Sequence, residues 1–519
     1  MAAPWWKSAV VYQIYPRSFA DTNGDGVGDL EGIRRRLDHL RWLGVDAVWL
    51  SPFYRSPMAD FGYDVADHCD VDPLFGTLAD FDRLLGEAHD RGLRVLVDFV
   101  GNHTSDRHPW FVEARTSRSS ARRRWYVWRD PRPGGGPPND WRAAFAAAPA
   151  WTLDPATGQY YLHCFLPQQP DLDWREPEVV GAMHGVLRFW LDRGVDGFRL
   201  DVVHLLGKDP ALADEPPETT GLPHVVLNDR PETHALLRDL RRLADGYPGE
   251  RVLVGEVYLL DTRRIAGYYG AAGDELHLAF NFPPLYAPWD ARAWREQLAT
   301  TAAALDPLGA WPTWVLSNHD NPRHRTRNGG SEARARAAAV LLLTLRGTVF
   351  LYQGEELGLE DAIVPPSEAV DPGGRDGSRA PIPWEAAPPH GWPNAAPWLP
   401  FPPDAGARSV ERSRADSRSI LHLYRRLLTL RREHAVLREG DLRLLDTPEG
   451  VLGYTRAAPG SRLSVFVNFT GVPVAVSRRG GHVLLSSLDH DPAAPFAGRL
   501  AGNEAVLVAE RLPPAGKGG

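Results

Sequence analysis

Short runs of apolar residues, rich in valine, leucine, isoleucine and aromatic side chains, recur along the chain and stop at polar residues. Runs of this length and composition are typical of buried strands. Eight of them predict strands at residues 10–15, 47–50, 94–100, 197–202, 251–256, 276–281, 313–317 and 348–352. Segments with apolar residues three and four positions apart lie between most of these runs and predict helices, the clearest at residues 30–43, 81–89 and 177–191.

This alternation of strand and helix predicts an α/β fold, a closed (β/α)8 barrel of the TIM type. An open, doubly wound sheet is the alternative, but no glycine-rich dinucleotide-binding turn follows the first predicted strand. A helix-like segment at residues 419–432 follows the eighth strand and is expected to complete the barrel.

Two long connections and a change of pattern predict additional domains. Between the third and fourth strands lie a proline- and glycine-rich run and a strand-like stretch at residues 159–165, so we expect an inserted domain. After the eighth strand, a segment rich in proline, glycine and tryptophan is expected to cover the barrel mouth. Further strand-like runs predict a C-terminal antiparallel β-sandwich, with a disordered tail at residues 513–519. The predicted domains are the barrel (1–103 and 175–435), the inserted domain (104–174) and the β domain (436–519).

Composition narrows the class of protein. A chain of 519 residues exceeds what one hydrophobic core supports, which fits several domains. The net charge of -8 argues against nucleic acid or an anionic membrane surface as the main partner. We expect no membrane span and no signal peptide, because apolar runs are too short. Cys69 and Cys164 are too few for a disulfide framework, which favours a cytoplasmic protein. We expect either a monomer or a homodimer.

Carboxylates and histidines stand at the ends of four predicted strands. The segments are DFVGNH (98–103), GFRLDV (197–202), VGEV (254–257) and SNHD (317–320). Parallel barrels build their sites from the carboxyl ends of strands, so these side chains are expected to meet. The catalytic candidates are the three carboxylates Asp201, Glu256 and Asp320.

Arg199 and Asp201 are expected to point to the same side of their strand, because side chains alternate. An arginine beside a carboxylate lowers its pKa and keeps it ionised, which suits a nucleophile; a structural ion pair is the alternative. A second carboxylate nearby, Glu256, is expected to favour its protonated form and so to suit a proton donor. Retaining glycoside hydrolysis needs two such groups, roughly 5–5.5 Å apart.

In their order, these four segments resemble the four sequence motifs of the α-amylase family of glycoside hydrolases. The stretches GVDAVWLS (44–51) and LYQGEELG (351–358) resemble its second and eighth strands, and QIYPRSFAD (13–21) and QPDLDW (169–174) its α-glucosidase and oligo-1,6-glucosidase branch. The resemblance implies Asp201 as nucleophile, Glu256 as general acid/base and Asp320 as stabiliser of the transition state.

The resemblance also implies a pocket for a terminal glucose. Its residues would be Tyr63, Asp64, His103, Phe165, Arg199, His319 and Arg379. Val202, after the nucleophile, accompanies α-1,6 cleavage in the related branch, where alanine or threonine accompanies α-1,4 cleavage. Tyr258 stands where some relatives have glutamine or asparagine, and Ala380 and Pro383 replace a common threonine and glutamine. The subsite beyond the cleaved bond is therefore expected to differ.

The segment DTNGDGVGD (21–29) places acidic or amide side chains at alternate positions, a pattern that wraps oxygen ligands around a hard cation. We expect a structural Ca²⁺; Mg²⁺ and a hydrogen-bonded turn without metal are the alternatives. The glutamate that usually occupies the twelfth position is Gly32 here. The candidate ligands are Asp21, Asn23, Asp25, the carbonyl of Val27, and Asp29.

Lys208 resembles a lysine of the oligo-1,6-glucosidase branch whose ammonium replaces the calcium that joins barrel and inserted domain in many amylases. An exposed lysine is the alternative.

The predicted activity is that of a retaining α-glucosidase that removes terminal glucose, α-1,4- or α-1,6-linked, from small oligosaccharides without an organic cofactor. A transglucosylase or isomerase of the trehalose synthase or isomaltulose synthase type would use the same covalent intermediate. A non-catalytic, transporter-associated member is the remote alternative, since all three carboxylates are present.

Overall fold

The computed structural model describes residues 3–145, 148–216, 227–393, 396–477, 480–488 and 494–510. The tail predicted to be disordered lies outside these residues.

Eight parallel strands form the barrel, which confirms the predicted fold class. The strands are β1 (Val10–Ile14), β2 (Ala47–Leu50), β3 (Arg94–Phe99), β4 (Gly197–Leu200), β5 (Val252–Gly255), β6 (Leu278–Ala279), β7 (Thr313–Val315) and β8 (Thr348–Tyr352). Neighbours pair in the order β6-β5-β4-β3-β2-β1-β8-β7. Between β6 and β7 the hydroxyl of Thr313 donates to the carbonyl of Ala279 at 2.7 Å and accepts from the amide of Asn281 at 3.1 Å.

Several strands end earlier than the sequence predicts. The strand predicted to run to residue 202 ends at Leu200, and the one predicted to run to residue 256 ends at Gly255. Val202 has a φ of 36°, a left-handed conformation that a strand cannot contain. Asp201 and Glu256 therefore begin the loops after β4 and β5.

Helices connect the strands on the outside of the barrel. The helix predicted at residues 30–43 is divided at Arg36, whose ψ of 2° interrupts it. Thr77 and Asp80 form a reciprocal capping box at the start of another. No helix within the described ranges is long and apolar enough to cross a membrane. The main helices are Leu30–Arg35, Leu37–Leu43, Leu78–Asp90, Pro177–Arg193, Pro231–Asp245, Thr262–Ala266, Ala291–Leu305, Glu332–Thr344 and Ile420–Glu433.

The connection after β3 forms the inserted domain. Its centre is a three-stranded antiparallel sheet in which Gln159–Leu162 lies between Trp128–Arg129 and Trp151–Asp154. The chain then returns to the barrel and enters the helix that begins at Pro177.

Lys208 connects the inserted domain to the barrel. Its ammonium lies 2.6 Å from Asn102 Oδ1, 2.7 Å from the carbonyl of Leu205 and 2.7 Å from Asp171 Oδ2, and the residue is only 2% exposed. Asn102 follows β3, whereas Asp171 lies near the end of the inserted domain. Burial acts to raise the pKa of Asp171, but Lys208 and the hydrogen bonds from Cys164 together outweigh it, and the pKa is lowered. The alternative of an exposed lysine is wrong.

The C-terminal domain is an antiparallel β-sandwich, as predicted. The strands of its main sheet are β9 (Asp441–Leu444), β10 (Val451–Ala458), β11 (Ser461–Asn468), β12 (His482–Ser486) and β13 (Ala505–Ala509). They pair in the order β9-β10-β11-β13-β12, and the pair Val474–Ala475 and Arg499–Leu500 lies against this sheet. On the side facing the barrel, the hydroxyls of Tyr454 and Thr344 lie 2.6 Å apart.

Replacing Lys208 with methionine is expected to destabilise the protein strongly. The change leaves the buried carboxylate of Asp171 without its cation, a loss that costs ~3–5 kcal/mol in buried pairs. Thermal unfolding and limited proteolysis of the inserted domain measure it. Lys7→Met, at a half-buried lysine that contacts aromatic rings, is the control and should cost less than about 1 kcal/mol. Equal effects of the two changes would contradict this account of Lys208.

Candidate active site

A cavity of about 390 Å³ opens at the carboxyl ends of the barrel strands. Inserted-domain residues and the long connection after β8 contribute to its walls, so the cavity lies between three parts of the chain. Of the residues predicted from sequence, those that line it are Tyr63, His103, Phe165, Asp201, Val202, Glu256, Tyr258 and Asp320.

Arg199 binds three carboxylates at the base of this cavity. Its Nη1 donates to Asp98 Oδ1 at 2.6 Å and to Asp201 Oδ1 at 2.7 Å, and its Nη2 donates to Glu256 Oε2 at 2.6 Å. These carboxylates belong to β3, the end of β4 and the end of β5, which are adjacent in the barrel. The indole ring of Trp49 lies 5.2 Å from the guanidinium, and its Nε1 donates to Asp98 Oδ2 at 2.8 Å. One buried cation thus fixes the positions of three buried anions.

The left-handed backbone at Val202 has a direct effect on Glu256. It turns the amide of Val202 toward Glu256 Oε2, which accepts its hydrogen bond at 3.1 Å as well as that of Arg199. Among the described residues, no group makes a hydrogen bond to Glu256 Oε1 or to Asp201 Oδ2. Each carboxyl group therefore has one oxygen held by the protein and one available to a bound molecule.

Three carboxyl groups share one guanidinium, and the pKa values of two of them, Asp201 and Asp98, are raised. Burial raises the pKa of Asp201 well above its ordinary value; Arg199 opposes this, and Glu256 and Asp98 add to it. Burial also raises the pKa of Asp98, to about 6, against the effect of Arg199. Arg199 acts to lower the pKa of Asp201, as expected, but burial and the two neighbouring carboxyl groups outweigh it, so the net pKa is raised.

His319 lies behind the cavity wall and orients Tyr63. The side-chain amide of Gln13 donates to its Nδ1 at 2.7 Å, so the ring proton is on Nε2, which lies 2.6 Å from the Tyr63 hydroxyl. Burial lowers the pKa of His319 to about 3, which keeps the ring neutral. The two rings stack 5.4 Å apart. Tyr63 is thus held from behind by a neutral donor.

Asp320 lies opposite the Arg199 cluster and is paired with two other arginines. Arg375 Nη1 donates to its Oδ1 at 2.9 Å and Arg379 Nη2 at 3.3 Å, while His319 Nε2 lies 3.2 Å from Oδ2. Burial acts to raise the pKa of Asp320, but His319, Arg375 and Arg379 together lower it below its ordinary value. Asp320 is therefore an anion near neutral pH. Its pKa is lowered, whereas that of Asp201 is raised.

Two predicted pocket residues are replaced by near neighbours. Asp64 faces away from the cavity and accepts hydrogen bonds from Ser56 Oγ, Ala59 N and Asp60 N at 2.8–2.9 Å. Asp60 lines the cavity instead, because this loop turns back on the Asp64 carboxylate and directs the earlier aspartate inward.

Arg379 is likewise fully buried behind the wall, where its Nε donates to the carbonyl of His319 at 2.9 Å. Arg375, one helical turn earlier, lines the cavity and binds Asp60 at 2.5 Å and Asp371 at 2.7 Å. Both arginines lie in the segment GGRDGSRAPIPW (373–384). The path of the backbone through this segment decides which of them faces the cavity.

His103 and Phe165 form the wall on the inserted-domain side. His103 Nε2 lies 3.2 Å from the carbonyl of Tyr63, and the Phe165 ring lies 5.2 Å from the His103 ring. Burial lowers the pKa of His103 to about 4, so it is neutral. Phe145 and Gln169, which the sequence analysis did not assign, complete this wall.

In the loop at residues 21–29, side-chain oxygens accept hydrogen bonds from the backbone of the same loop. Asp21 accepts from the amides of residues 23, 24 and 26, Asn23 from that of Asp25, and Asp25 from that of Val27, at 2.8–3.0 Å. These hydrogen bonds hold the side chains of Asp21, Asn23 and Asp25 against the backbone of the loop. Asp29 faces the helix instead, where its Oδ1 accepts from Gly32 N at 2.6 Å. In the described part of the chain, no three Asp, Glu, His or Cys side chains form a metal-binding group, so any ion here would depend on Asn23 and a carbonyl.

Residues 13–440 match the family model described as the alpha amylase catalytic domain. The chain is 43% identical to a probable alpha-glucosidase of Rhizobium meliloti (strain 1021), over 96% of this chain and 97% of that protein. It is 35% identical to an oligo-1,6-glucosidase of Parageobacillus thermoglucosidasius, over 99% and 100%. It also resembles the crystal structure of the alpha-glucosyl transfer enzyme XgtA, with a TM-score of 0.92 and 43% identity over 98% of this chain and 100% of that one.

Asp60 and Asp64 are expected to respond differently to substitution. Asp64→Ala removes an acceptor for three buried donors and should cost ~2–4 kcal/mol of stability. Asp60→Asn keeps the shape of the loop, so its melting temperature should stay close to that of the wild type while KM for 4-nitrophenyl α-glucoside rises about ten-fold or more. Calorimetry and steady-state kinetics measure both. An Asp60→Asn variant with unchanged KM would show that the cavity assignment of Asp60 is wrong.

Proposed function

Since this chain belongs to the α-amylase family of glycoside hydrolases, we propose that it is a retaining α-glucosidase that releases terminal, non-reducing glucose from small oligosaccharides. The observation that carries the proposal is the pair Asp201 and Glu256, held side by side on Arg199 with one free oxygen each. Two neighbouring carboxyl groups, one to attack and one to transfer a proton, are what the double displacement requires.

In the first step, Asp201 Oδ2 attacks the anomeric carbon while Glu256 Oε1 transfers its proton to the glycosidic oxygen. The leaving group departs as an alcohol, and a glucosyl ester of Asp201 remains. Arg199 supports this distribution of charge, because it stabilises the ionised form of Asp201 and, through Nη2, the oxygen of Glu256 that does not carry the proton.

In the second step, Glu256 takes a proton from water, which attacks the same carbon and releases Asp201 as a carboxylate. Two inversions give net retention, so α-glucose is the first product. Asp320, an anion near neutral pH, would accept hydrogen bonds from sugar hydroxyls and stabilise the positive charge of the oxocarbenium-like transition state. Asp60 and Arg375 would bind the hydroxyls at the closed end of the cavity.

Val202 lies between the nucleophile and the acid and lines the cavity. Its branched side chain limits the space for the leaving sugar. A valine at this position favours substrates with an α-1,6 linkage. α-1,4 linkages remain within the proposed range. A transglucosylase is the second candidate, supported by the similarity to the alpha-glucosyl transfer enzyme. Time-resolved analysis of products from maltose, isomaltose, sucrose and trehalose distinguishes hydrolysis from transfer or isomerisation.

We also propose that the loop at residues 21–29 binds a structural Ca²⁺ through Asp21, Asn23, Asp25 and the carbonyl of Val27. Mg²⁺ is the second candidate ion. The ion would stiffen the loop after β1 and take no part in the reaction. Cys69 and Cys164 are free thiols, which fits a reducing compartment, so we propose a cytoplasmic location. We propose that the protein is a monomer or a homodimer.

Asp201→Asn is expected to reduce kcat for 4-nitrophenyl α-glucoside by about 10³-fold or more, because an amide cannot form the covalent ester. The melting temperature should stay near that of the wild type, since asparagine can still accept from Arg199. Asp192→Asn, on the outer surface, is the control and should retain full activity.

NMR of the wild-type reaction gives an independent check on this mechanism. α-Glucose should appear first and convert to the β anomer afterwards. An Asp201→Asn variant of near-normal rate, or β-glucose as the first product, would contradict the proposed roles.

Removal of calcium is expected to lower the melting temperature. At a ligand concentration 100 times Kd, binding to the folded state alone adds about 2.7 kcal/mol of stability. Excess EDTA should therefore lower the midpoint by a few degrees, and added Ca²⁺ should restore it. Asp25→Ala should abolish the response. A wild-type midpoint that is the same in EDTA and Ca²⁺ would refute the metal site.

A further inference from the structure

Arg323 follows Asp320 by three residues and uses its guanidinium to hold backbone carbonyls. Its Nη1 donates to the carbonyl of Gln353 at 2.7 Å, and its Nη2 donates to that of Ser378 at 3.1 Å. The residue is 1% exposed, and the ring of Tyr352 lies 4.7 Å from the guanidinium. No acidic side chain in the described part of the chain forms an ion pair with this buried cation.

The carbonyl of Ser378 belongs to the turn that carries two arginines to the active site. Ser378 lies in the turn Asp376–Arg379, which Arg375 precedes. Arg375 and Arg379 both donate to Asp320 Oδ1. The guanidinium behind the turn therefore joins the loop after β7 and the end of β8 to the residues that hold the anionic side of the cavity.

Two adjacent glutamates are buried on the same side of β8. Glu355 and Glu356 are 2% and 1% exposed, and each accepts one hydrogen bond from a tyrosine. Tyr424 OH donates to Glu355 Oε1 at 3.1 Å, and Tyr12 OH donates to Glu356 Oε1 at 2.9 Å. Among the described residues, the Oε2 atoms of both glutamates and Nε of Arg323 have no hydrogen-bond partner.

Arg323 lies beside this pair and acts on its protonation. A Cβ atom placed on Gly354 would lie 3.2 Å from Arg323 Nη1, so the guanidinium contacts the backbone that leads into the glutamates. Burial raises the pKa of Glu355 to about 8 and that of Glu356 to about 7, although Arg323 acts to lower both. The titratable and charged groups that face the pair are Tyr12, Arg323, His324, Arg327 and Tyr424.

A buried carboxyl group that loses its proton needs a cation, because the interior penalises an isolated charge. Arg323 has an unused N–H donor at Nε, whereas His324 is neutral because burial lowers its pKa to about 3. Arg327, the other cation that acts on Glu355, donates to the carbonyls of Pro322, Leu285 and Leu316. Ionisation of the glutamates therefore draws the Arg323 guanidinium toward them and away from its two carbonyls.

We propose that Arg323 is a positioning residue for the reaction, and that it holds the turn Asp376–Arg379 in place only while the two glutamates carry their protons. The inference rests on the proposed function, since it acts through Asp320 and Arg375 on the bound glucose. Once the glutamates ionise, the turn loses its hydrogen bond from Arg323 and these two side chains shift. Binding of the substrate is then weakened, so the effect is expected in KM.

The test measures KM and kcat for 4-nitrophenyl α-glucoside at about pH 6 and about pH 9, on either side of both titrations. The wild-type KM should rise about five-fold or more at the higher pH. In Glu355→Gln/Glu356→Gln it should stay constant, because an amide cannot ionise. The kcat of both proteins should fall, since Glu256 loses its proton. Glu360→Gln, at a partly exposed glutamate that binds Arg325, is the control and should keep the wild-type rise.

Arg323→Lys tests the positioning role directly. One ammonium cannot span both carbonyls, so KM at about pH 6 should rise about ten-fold and change little at about pH 9. Arg325→Lys is the matched control, because Arg325 is also buried and donates to the carbonyls of Gly330 and Gly358. It should lower the melting temperature while leaving KM at the wild-type value.

The outcomes separate this inference from the proposed function. No hydrolysis by the wild type at either pH overturns the proposed function and this inference with it. Hydrolysis with a KM that is equal at the two pH values, or that rises equally in the double glutamine variant, overturns this inference alone. Arg323→Lys with a wild-type KM does the same. If the double variant does not fold, Glu356→Gln replaces it, and an undiminished rise in KM counts against the inference.

Discussion

The buried guanidinium of Arg199 is the interaction on which the site depends. It makes direct hydrogen bonds to Asp98, Asp201 and Glu256, which come from three adjacent strands. Without this cation, the three carboxylates would repel one another in a region of low dielectric, where such repulsion is strong. The barrel brings the strand ends together, but the pairing with Arg199 makes their close approach stable. The same arrangement sets one cation against three carboxyl groups, and the pKa values of Asp98 and Asp201 are raised.

Asp320 is held in the opposite state by the opposite balance. Two arginines and a neutral histidine face one carboxylate, so its pKa is lowered although it is buried. The pKa of Asp201 is thus raised on one side of the cavity, and that of Asp320 is lowered on the other, where an anion can stabilise a cationic transition state. This difference follows from the number of cations around each carboxylate. It is independent of the residue type, which is aspartate on both sides.

Further polar contacts fix the positions of the residues that form the two sides of the cavity. Lys208 joins the loop after β3 to the inserted domain and so fixes the wall that includes His103. Gln13, from the loop-proximal part of β1, fixes the ring of His319 and through it Tyr63. Beside the cavity, hydrogen bonds join the hydroxyls of Tyr258 and Tyr286 and continue to Asn321. Each of these is a polar contact between segments far apart in sequence.

The sequence by itself determined the barrel, the inserted and C-terminal domains, the family and the residue types at the strand ends. Those features follow from hydrophobic period and from motifs whose residues are close in the chain. The three-dimensional structure was needed to show that Asp60 and Arg375 face the cavity in place of Asp64 and Arg379. It was also needed to show that the pKa of Asp201 is raised. The direction of a loop depends on hydrogen bonds to distant residues. A pKa depends on the sum of burial and all nearby charges, and no local pattern contains either quantity.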